Sequence, residues 1–161
     1  MNTREFWLLR HARAELHSQD GRDRSRQLHA AGRRACASLN HWLKSCGMAL
    51  PEQVLVSPAV RTRETADLAL AGLDLNIQVD QRLWLASADD LLAIAASSLQ
   101  SCQRLMLIGH NPGLEDLVHH LGGRLPVTGL KPATLVVLSL ALPLTAGQAR
   151  TLQLLEASES T

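Results

Sequence analysis

Aromatic residues are scarce in this chain of 161 residues, which has three tryptophans, one phenylalanine and no tyrosine. Proteins that bind single-stranded nucleic acid stack bases on aromatic side chains, and proteins that bind duplexes carry an excess of basic residues. The formal net charge here is only +1. We therefore expect no nucleic-acid partner, and any affinity for anions must come from a local cluster of basic residues.

Cysteines and long apolar runs are also few. Cys36, Cys46 and Cys102 are odd in number and widely spaced, which argues against a disulfide framework and against a zinc site. We expect reduced packing residues, with no metal and no cofactor. No apolar run approaches the roughly 20 residues that a membrane span needs, and the chain does not open with a signal-peptide pattern. These absences predict a soluble, cytoplasmic protein without a membrane partner.

Short apolar runs alternate with helical patterns along the whole chain. The runs at 5–9 and 104–108 are typical of strands buried on both faces of a parallel sheet. Further strands are predicted at 53–56, 76–79, 133–140 and 151–155, and helices at about 28–42, 58–72, 87–99 and 114–121. The alternation predicts a three-layer α/β sandwich whose mainly parallel central sheet is flanked by helices. Residues 1–155 would form one domain, and residues 156–161 a frayed tail.

Basic and polar residues follow three of these strands directly. They are Arg10 and His11 after the first strand, Ser57 and Arg61 after the second, and His110 and Asn111 after the fourth. Because ligands bind at the carboxyl ends of the strands in open parallel sheets, these residues should converge there. Ser57 is predicted to cap the second helix, with Pro58 as its first residue. A helix N-terminus and arginine forks both suit phosphate, so a phosphate site is predicted at this edge.

Four motifs occur in an order that resembles a known family. They are LLRHARAE, D-x-x-R-x-L-x-x-x-G at 23–32, VSPAVRTRET and LIGHNPGLEDL. Together they resemble the histidine phosphatase (phosphoglycerate mutase-like) superfamily. The short length, RHA in place of the commoner RHG, and GHNP are similar to its small bacterial SixA-type phosphohistidine phosphatase branch. A single match such as RHA would be weak, whereas four motifs in order are specific.

The resemblance implies a covalent mechanism without a metal. His11 would attack phosphorus in line, and water would hydrolyse the resulting phosphohistidine enzyme. Arg10, Arg61 and a protonated His110 would hold the charge on the phosphoryl oxygens. The resemblance also implies that three further residues bind the substrate: Arg26, Ser57 and Asn111.

One departure from the family pattern bears on the substrate. Mutase-like members carry an acid between the third strand and the next helix, whereas the stretch QRLWLAS at 81–87 has no carboxylate. An alkoxide leaving group needs such an acid, but an imidazole can leave already protonated. The gap therefore favours phosphohistidine over a phosphomonoester. Asp80, Asp89 and Glu15 remain candidate acids, and the sequence assigns no role to His29, which replaces the family's small hydroxyl residue.

Taken singly, each of these histidines and arginines would be read as an ordinary solvated side chain, and the joint pattern reverses that reading. We predict a phosphatase for phosphohistidine in proteins, with a phosphorylated protein of the histidine phosphotransfer type as its partner. A phosphatase for a small phosphomonoester and a non-catalytic phosphoprotein-binding module are the alternatives. His119 and His120 are predicted to be surface residues, and Trp84 a packing residue.

Overall fold

The computed structural model describes residues 2–160, which form a mixed sheet of six strands flanked by four helices. The strands are β1 (Thr3–Arg10), β2 (Gln53–Val56), β3 (Asn76–Val79), β4 (Arg104–Gly109), β5 (Thr134–Ala141) and β6 (Arg150–Glu156). The helices are α1 (Ala30–Ser45), α2 (Val60–Ala69), α3 (Ala88–Ser98) and α4 (Gly113–Leu121). Along the sheet the order is β3-β2-β4-β1-β5-β6. The predicted α/β sandwich is confirmed.

The first four strands are parallel, and the last two run antiparallel to them. Side chains alternate between the two faces of β1: Phe6 and Leu8 belong to one apolar cluster, and Trp7 and Leu9 to the other. Helices α3 and α4 cover the first face, and α1 and α2 cover the second. Because both faces are covered, β1 is a continuous apolar run, as the sequence pattern predicted.

Two predicted details of the helices are wrong or incomplete. Helix α2 begins at Val60 and Ala59 precedes it as an N-cap without a side-chain bond, so Ser57 is not the cap. Helix α1 is capped by His29, whose Nδ1 accepts a hydrogen bond of 3.1 Å from the backbone N–H of Ala31. A histidine therefore satisfies the N–H that a small hydroxyl side chain would otherwise bind, which gives His29 a structural role.

The segment after β6 is held against the domain, contrary to the predicted frayed tail. The backbone N–H of Ala157 donates to the carbonyl of Ala133, and Arg34 Nε donates to the carbonyl of Glu159 at 2.7 Å. The described cysteines are free, and His119 and His120 are exposed as predicted. Among residues 2–160, no helix has the length and apolar character to cross a membrane.

Candidate active site

The neighbouring strands β2, β4 and β1 bring three chain segments together at their carboxyl ends. Arg10 lies opposite Gly109, and Ile108 lies opposite Val56. The ladder continues one residue past the strands, since the N–H of His11 donates to Gly109 and that of Ser57 donates to Ile108. The sheet register therefore places His11, Ser57 and His110 side by side, as the strand-end prediction required.

His11 is held with one ring nitrogen occupied and the other available. Its Nδ1 lies 2.8 Å from the carbonyl oxygen of Ala12, which can only accept, so Nδ1 carries the proton. Nε2 therefore bears the lone pair, and Arg61 Nε donates toward it from 3.3 Å. Burial, together with the nearby cations, lowers the pKa of His11 to about 3. The imidazole is neutral near pH 7, which a nitrogen nucleophile requires.

Arg61 lies on the first turn of α2 and is 3% exposed. It reaches across the site to Asp23, where Nη1 donates to the backbone carbonyl at 2.8 Å and Nη2 to the carboxylate at 3.0 Å. Its guanidinium also lies 5.5 Å from the ring centroid of Trp84. Burial lowers the pKa of Arg61, and the charge of Asp23 opposes that shift. Arg61 is thus a fixed cation beside the His11 lone pair.

His110 is packed between Ser57 and Trp84. Its Nε2 lies 2.6 Å from Ser57 Oγ, and the edge of its ring meets Trp84 at a centroid distance of 5.3 Å. The rings of His11 and His110 are 5.4 Å apart. Burial, followed by the charge of Arg61, lowers the pKa of His110 to about 4. A buried site rich in arginine disfavours a further cation, so His110 favours its neutral form. The protonated His110 that the resemblance implies would act beside a phosphoryl anion, and it stays a prediction.

Arg10 is held by the segment before β5 rather than by another strand end. Its Nη1 donates to the carbonyl of Leu130 at 2.9 Å, and Asn111 Nδ2 donates to the same oxygen at 2.9 Å. A carboxylate oxygen of Glu115 accepts from Asn111 Nδ2 at 3.1 Å and from the N–H of Leu130 at 2.8 Å. Within residues 2–160, the buried Nε of Arg10 and the buried Oδ1 of Asn111 have no partner. Asn111 thus supports the loop that holds Arg10.

Arg26 lies at the rim of the site, tied to its own loop. Its Nε donates to the Asp23 carboxylate at 2.8 Å, and its Nη1 donates to the carbonyl of Glu15 at 2.9 Å. Asp23 therefore joins Arg26 to Arg61. Although partial burial opposes ionisation, the two arginines lower the pKa of the Asp23 carboxyl. Asp23 is an anion that orients two cations, which makes it a poor proton donor.

Within residues 2–160, none of the three candidate acids is hydrogen-bonded to His11, Arg61 or His110. Asp80 is paired with Arg82 at 2.6 Å and caps the short helical turn that follows it. Asp89 is exposed on the first turn of α3, and Glu15 is exposed on the loop after β1. The segment that carries the acid in mutase-like proteins contributes Trp84 to this site instead.

Sequence reasoning missed the roles of Asp23, Trp84 and Glu115. Asp23 and Glu115 stand inside the motifs at 23–32 and 107–117, so their motif positions were a usable signal. Trp84 had no such signal beyond its place in the acid-free stretch. Its approach depends on Gly113, because a Cβ there would run into the carbonyl oxygen of Ala86. That glycine lets α4 pack closely against the segment that carries the tryptophan.

Comparisons with known proteins agree with this geometry. Residues 6–84 match the histidine phosphatase superfamily (branch 1). The structure of a protein assigned as the phosphohistidine phosphatase SixA from Agrobacterium tumefaciens is 25% identical, with a TM-score of 0.79, and the match covers 95% of this chain and 98% of that one. The protein histidine phosphatase SixA complexed with tungstate is 22% identical, with the same TM-score of 0.79 and coverages of 96% and 97%.

A relative from a plant also matches. An uncharacterized chloroplastic protein of Arabidopsis thaliana is 31% identical over 132 residues, which are 75% of this chain but only 60% of the plant protein. The phosphoglycerate mutase-like fold, with two histidines and two arginines at one sheet edge, defines a class of phosphoryl-handling proteins that use histidine. The chain belongs to the histidine phosphatase superfamily. Its fold is shared with the two SixA structures.

Proposed function

We propose that this protein is a phosphatase that hydrolyses phosphohistidine in proteins through a covalent intermediate on His11. The observation that carries the proposal is the unprotonated Nε2 of His11, held by the Nδ1 contact to Ala12 and faced by the Arg61 cation. Membership of the histidine phosphatase superfamily supports the reaction class. A phosphorylated protein of the histidine phosphotransfer type is the partner that we propose.

The reaction has two displacements at phosphorus. In the first, the Nε2 lone pair of His11 forms a bond to phosphorus as the bond between phosphorus and the substrate nitrogen breaks. In the second, a water oxygen attacks phosphorus, the bond to Nε2 breaks, and the lone pair returns to His11. Phosphate leaves with the oxygen and one proton of the water, and the other proton passes to the solvent. Arg10 and Arg61 stabilise the charge on the phosphoryl oxygens in both steps.

Our proposal for the leaving group rests on the carboxylates that residues 2–160 place around the site. Asp23 is held as an anion by two arginines, and the 81–87 segment supplies an indole where mutase-like proteins supply a carboxyl group. A substrate imidazole that carries a proton on its other nitrogen departs neutral, without help. A serine or sugar alkoxide would depart as a strong base. The site therefore suits a phosphorus–nitrogen bond better than a phosphomonoester.

Trapping of the intermediate tests the enzyme reading. The protein is incubated with a labelled phosphohistidine donor, quenched and examined for a protein-bound phosphate that is acid-labile and base-stable. His11→Ala should form none, whereas His119→Ala, a change at an exposed histidine, should form as much as the wild-type chain. If no donor labels the wild-type protein, the chain is a phosphate-binding module and the proposal fails.

Comparison of substrates tests the leaving-group reasoning separately. Turnover of a phosphohistidine peptide is measured beside that of a phosphoserine peptide and a sugar phosphate. We expect kcat/KM to be highest for the phosphohistidine peptide, because only its leaving group needs no acid. Faster hydrolysis of the serine or sugar ester would instead establish the alternative, a phosphatase for phosphomonoesters on the same scaffold.

A further inference from the structure

Ser57 and His110 are in contact, and neither the family motif nor the proposed mechanism gives this contact a role. The two atoms lie 2.6 Å apart, Ser57 is fully buried, and His110 is 5% exposed. Water therefore has no access to the hydroxyl. The question that this geometry raises is which of the two groups donates the hydrogen.

The buried hydrogen atoms of the pair indicate whether Ser57 or His110 is the donor. Among the described residues, the Ser57 hydroxyl has no partner other than His110 Nε2. If Nε2 donated, the hydroxyl hydrogen would be buried without an acceptor, which costs about 1–3 kcal/mol. If the hydroxyl donates, its own hydrogen is satisfied, and the hydrogen that this tautomer places on Nδ1 is left for an oxygen of the ligand. The hydroxyl is therefore the donor, and Nε2 carries the lone pair.

The other ring nitrogen then carries the proton. Nδ1 of His110 lies 3.5 Å from Nη2 of Arg61. This contact is at the long limit of a hydrogen bond, so the 2.6 Å contact with Ser57 outweighs it in setting the tautomer. Two N–H groups at this spacing are instead suited to share one acceptor oxygen. Nε2 of His11 faces the same guanidinium from 3.3 Å, so that oxygen would belong to the phosphoryl group under attack.

We propose that Ser57 is a positioning residue that holds neutral His110 in the Nδ1–H tautomer, so that His110 donates a hydrogen bond to the phosphoryl group without being protonated. An imidazolium would need Ser57 Oγ to accept, and would leave the hydroxyl hydrogen unsatisfied. The inference rests on the proposed phosphoryl site, but not on the identity of the leaving group. It replaces a titrating cation with a donor that persists above the ordinary pKa of histidine.

The groups that face His110 come from several elements. Arg61 on α2, Arg10 on β1 and Arg26 on the loop after β1 are cations, and Asp23 is the one anion that acts on it from nearby. Arg10 and Arg61 are the cations that we place beside the phosphoryl oxygens. The positive charge that binds the anion therefore does not depend on a proton at His110. Binding of tungstate, which does not titrate in this range as phosphate does, should therefore stay nearly constant as the pH rises from about 6 to about 8.

The 15N chemical shifts of the His110 ring report the tautomer without any variant. In the full-length protein near pH 7, we expect Nδ1 to show the shift of a protonated nitrogen and Nε2 that of an unprotonated one. In Ser57→Ala the Nε2 partner is gone, and we expect a mixture of tautomers. Thr62→Val is the matched control: it deletes a buried hydroxyl that donates to the Ser57 carbonyl, and it should leave the His110 tautomer unchanged.

Affinity for inorganic phosphate and for tungstate gives the functional readout. We expect Ser57→Ala to bind tungstate about ten-fold more weakly near pH 6 and near pH 8 alike, because a neutral His110 without its Ser57 partner loses its fixed Nδ1 donor at either pH. Ser57→Thr retains the hydroxyl and should rescue the affinity. A protonated Nε2 in the wild-type protein would overturn the proposal, and so would an unchanged affinity in Ser57→Ala. Because neither readout uses a phosphohistidine substrate, these results stand apart from the test of the proposed function.

Discussion

The pH dependence of folding stability measures directly how the two active-site imidazoles are held. Burial is the main cause that lowers the pKa of His11 to about 3 and that of His110 to about 4, from an ordinary value of 6.5. Above about pH 6.5 both groups are neutral in the folded and in the unfolded chain, so neither affects the free energy of unfolding. Below that pH the unfolded chain binds protons that the folded protein excludes, and stability falls until the pH reaches the folded pKa values.

The size of the effect follows from the distance below the ordinary pKa. Below about pH 6.5, each further pH unit lowers the free energy of unfolding by about 1.4 kcal/mol for each of the two histidines. At about pH 5 the penalty is therefore about 2 kcal/mol for one imidazole and about 4 kcal/mol for both. That is a large part of the roughly 5–15 kcal/mol by which a folded domain is stable. Carboxylates contribute little in this window, because in unfolded chains they titrate at about pH 4.

Urea unfolding at about pH 7 and about pH 5 measures this loss. The buffers must contain no phosphate, because an anion that binds the folded protein would stabilise it. We expect His11→Gln and His110→Gln each to lose about 2 kcal/mol less than the wild-type chain on acidification, and the double variant about 4 kcal/mol less. His119→Gln, at an exposed position, should behave like the wild-type chain. An equal loss in the wild-type and double-variant proteins would refute the conclusion that the fold holds these imidazoles neutral.

Three further changes test other parts of the site. Glu115→Gln removes the carboxylate that orients the loop holding Arg10, and it should weaken tungstate binding by roughly three- to ten-fold in calorimetry; unchanged affinity would show that the loop needs no such support. Gly113→Ala should lower the free energy of unfolding by about 1–3 kcal/mol in urea titration, because the added Cβ meets a backbone carbonyl. Gly109→Ala is the control: its added Cβ has no contact closer than 3.7 Å, and the free energy of unfolding should be nearly unchanged. Arg61→Lys keeps the charge but loses the planar fork, so phosphate affinity should fall on the order of 100-fold; a smaller effect than that of Glu115→Gln would mean that charge alone suffices.

Much of the fold and the position of the site could be predicted from local pattern. Apolar runs of four to eight residues followed directly by Arg10-His11, Ser57 and His110 define strands and their ends. Parallel strands then bring those ends to one edge without any knowledge of side-chain contacts. The cap of α2 was misplaced, because a Ser-Pro pair is compatible with a helix start as well as with the turn that precedes this one.

The partners of each side chain could not be predicted in this way. Ser57 and His110 are 53 positions apart, and Arg61 and Asp23 are 38 apart, so no local period relates them. Trp84 reaches His110 only because α4 packs closely on its segment at Gly113. The charge of His110 could not be predicted either, because the charge of an imidazole depends on its burial and its neighbours.

The sequence by itself determined the α/β alternation, the edge of the sheet that carries the site, and four residues at that edge: Arg10, His11, Arg61 and His110. Periodicity and motif order suffice for these because both are properties of the chain. Only the tertiary structure decided which nitrogen of His11 is free, that His110 is neutral, and that Asp23 and Glu115 orient the arginines. Those properties depend on distances of about 3 Å between distant segments and on the exclusion of water. These distances and the exclusion of water arise only when the chain packs, so no local stretch of residues predicts them.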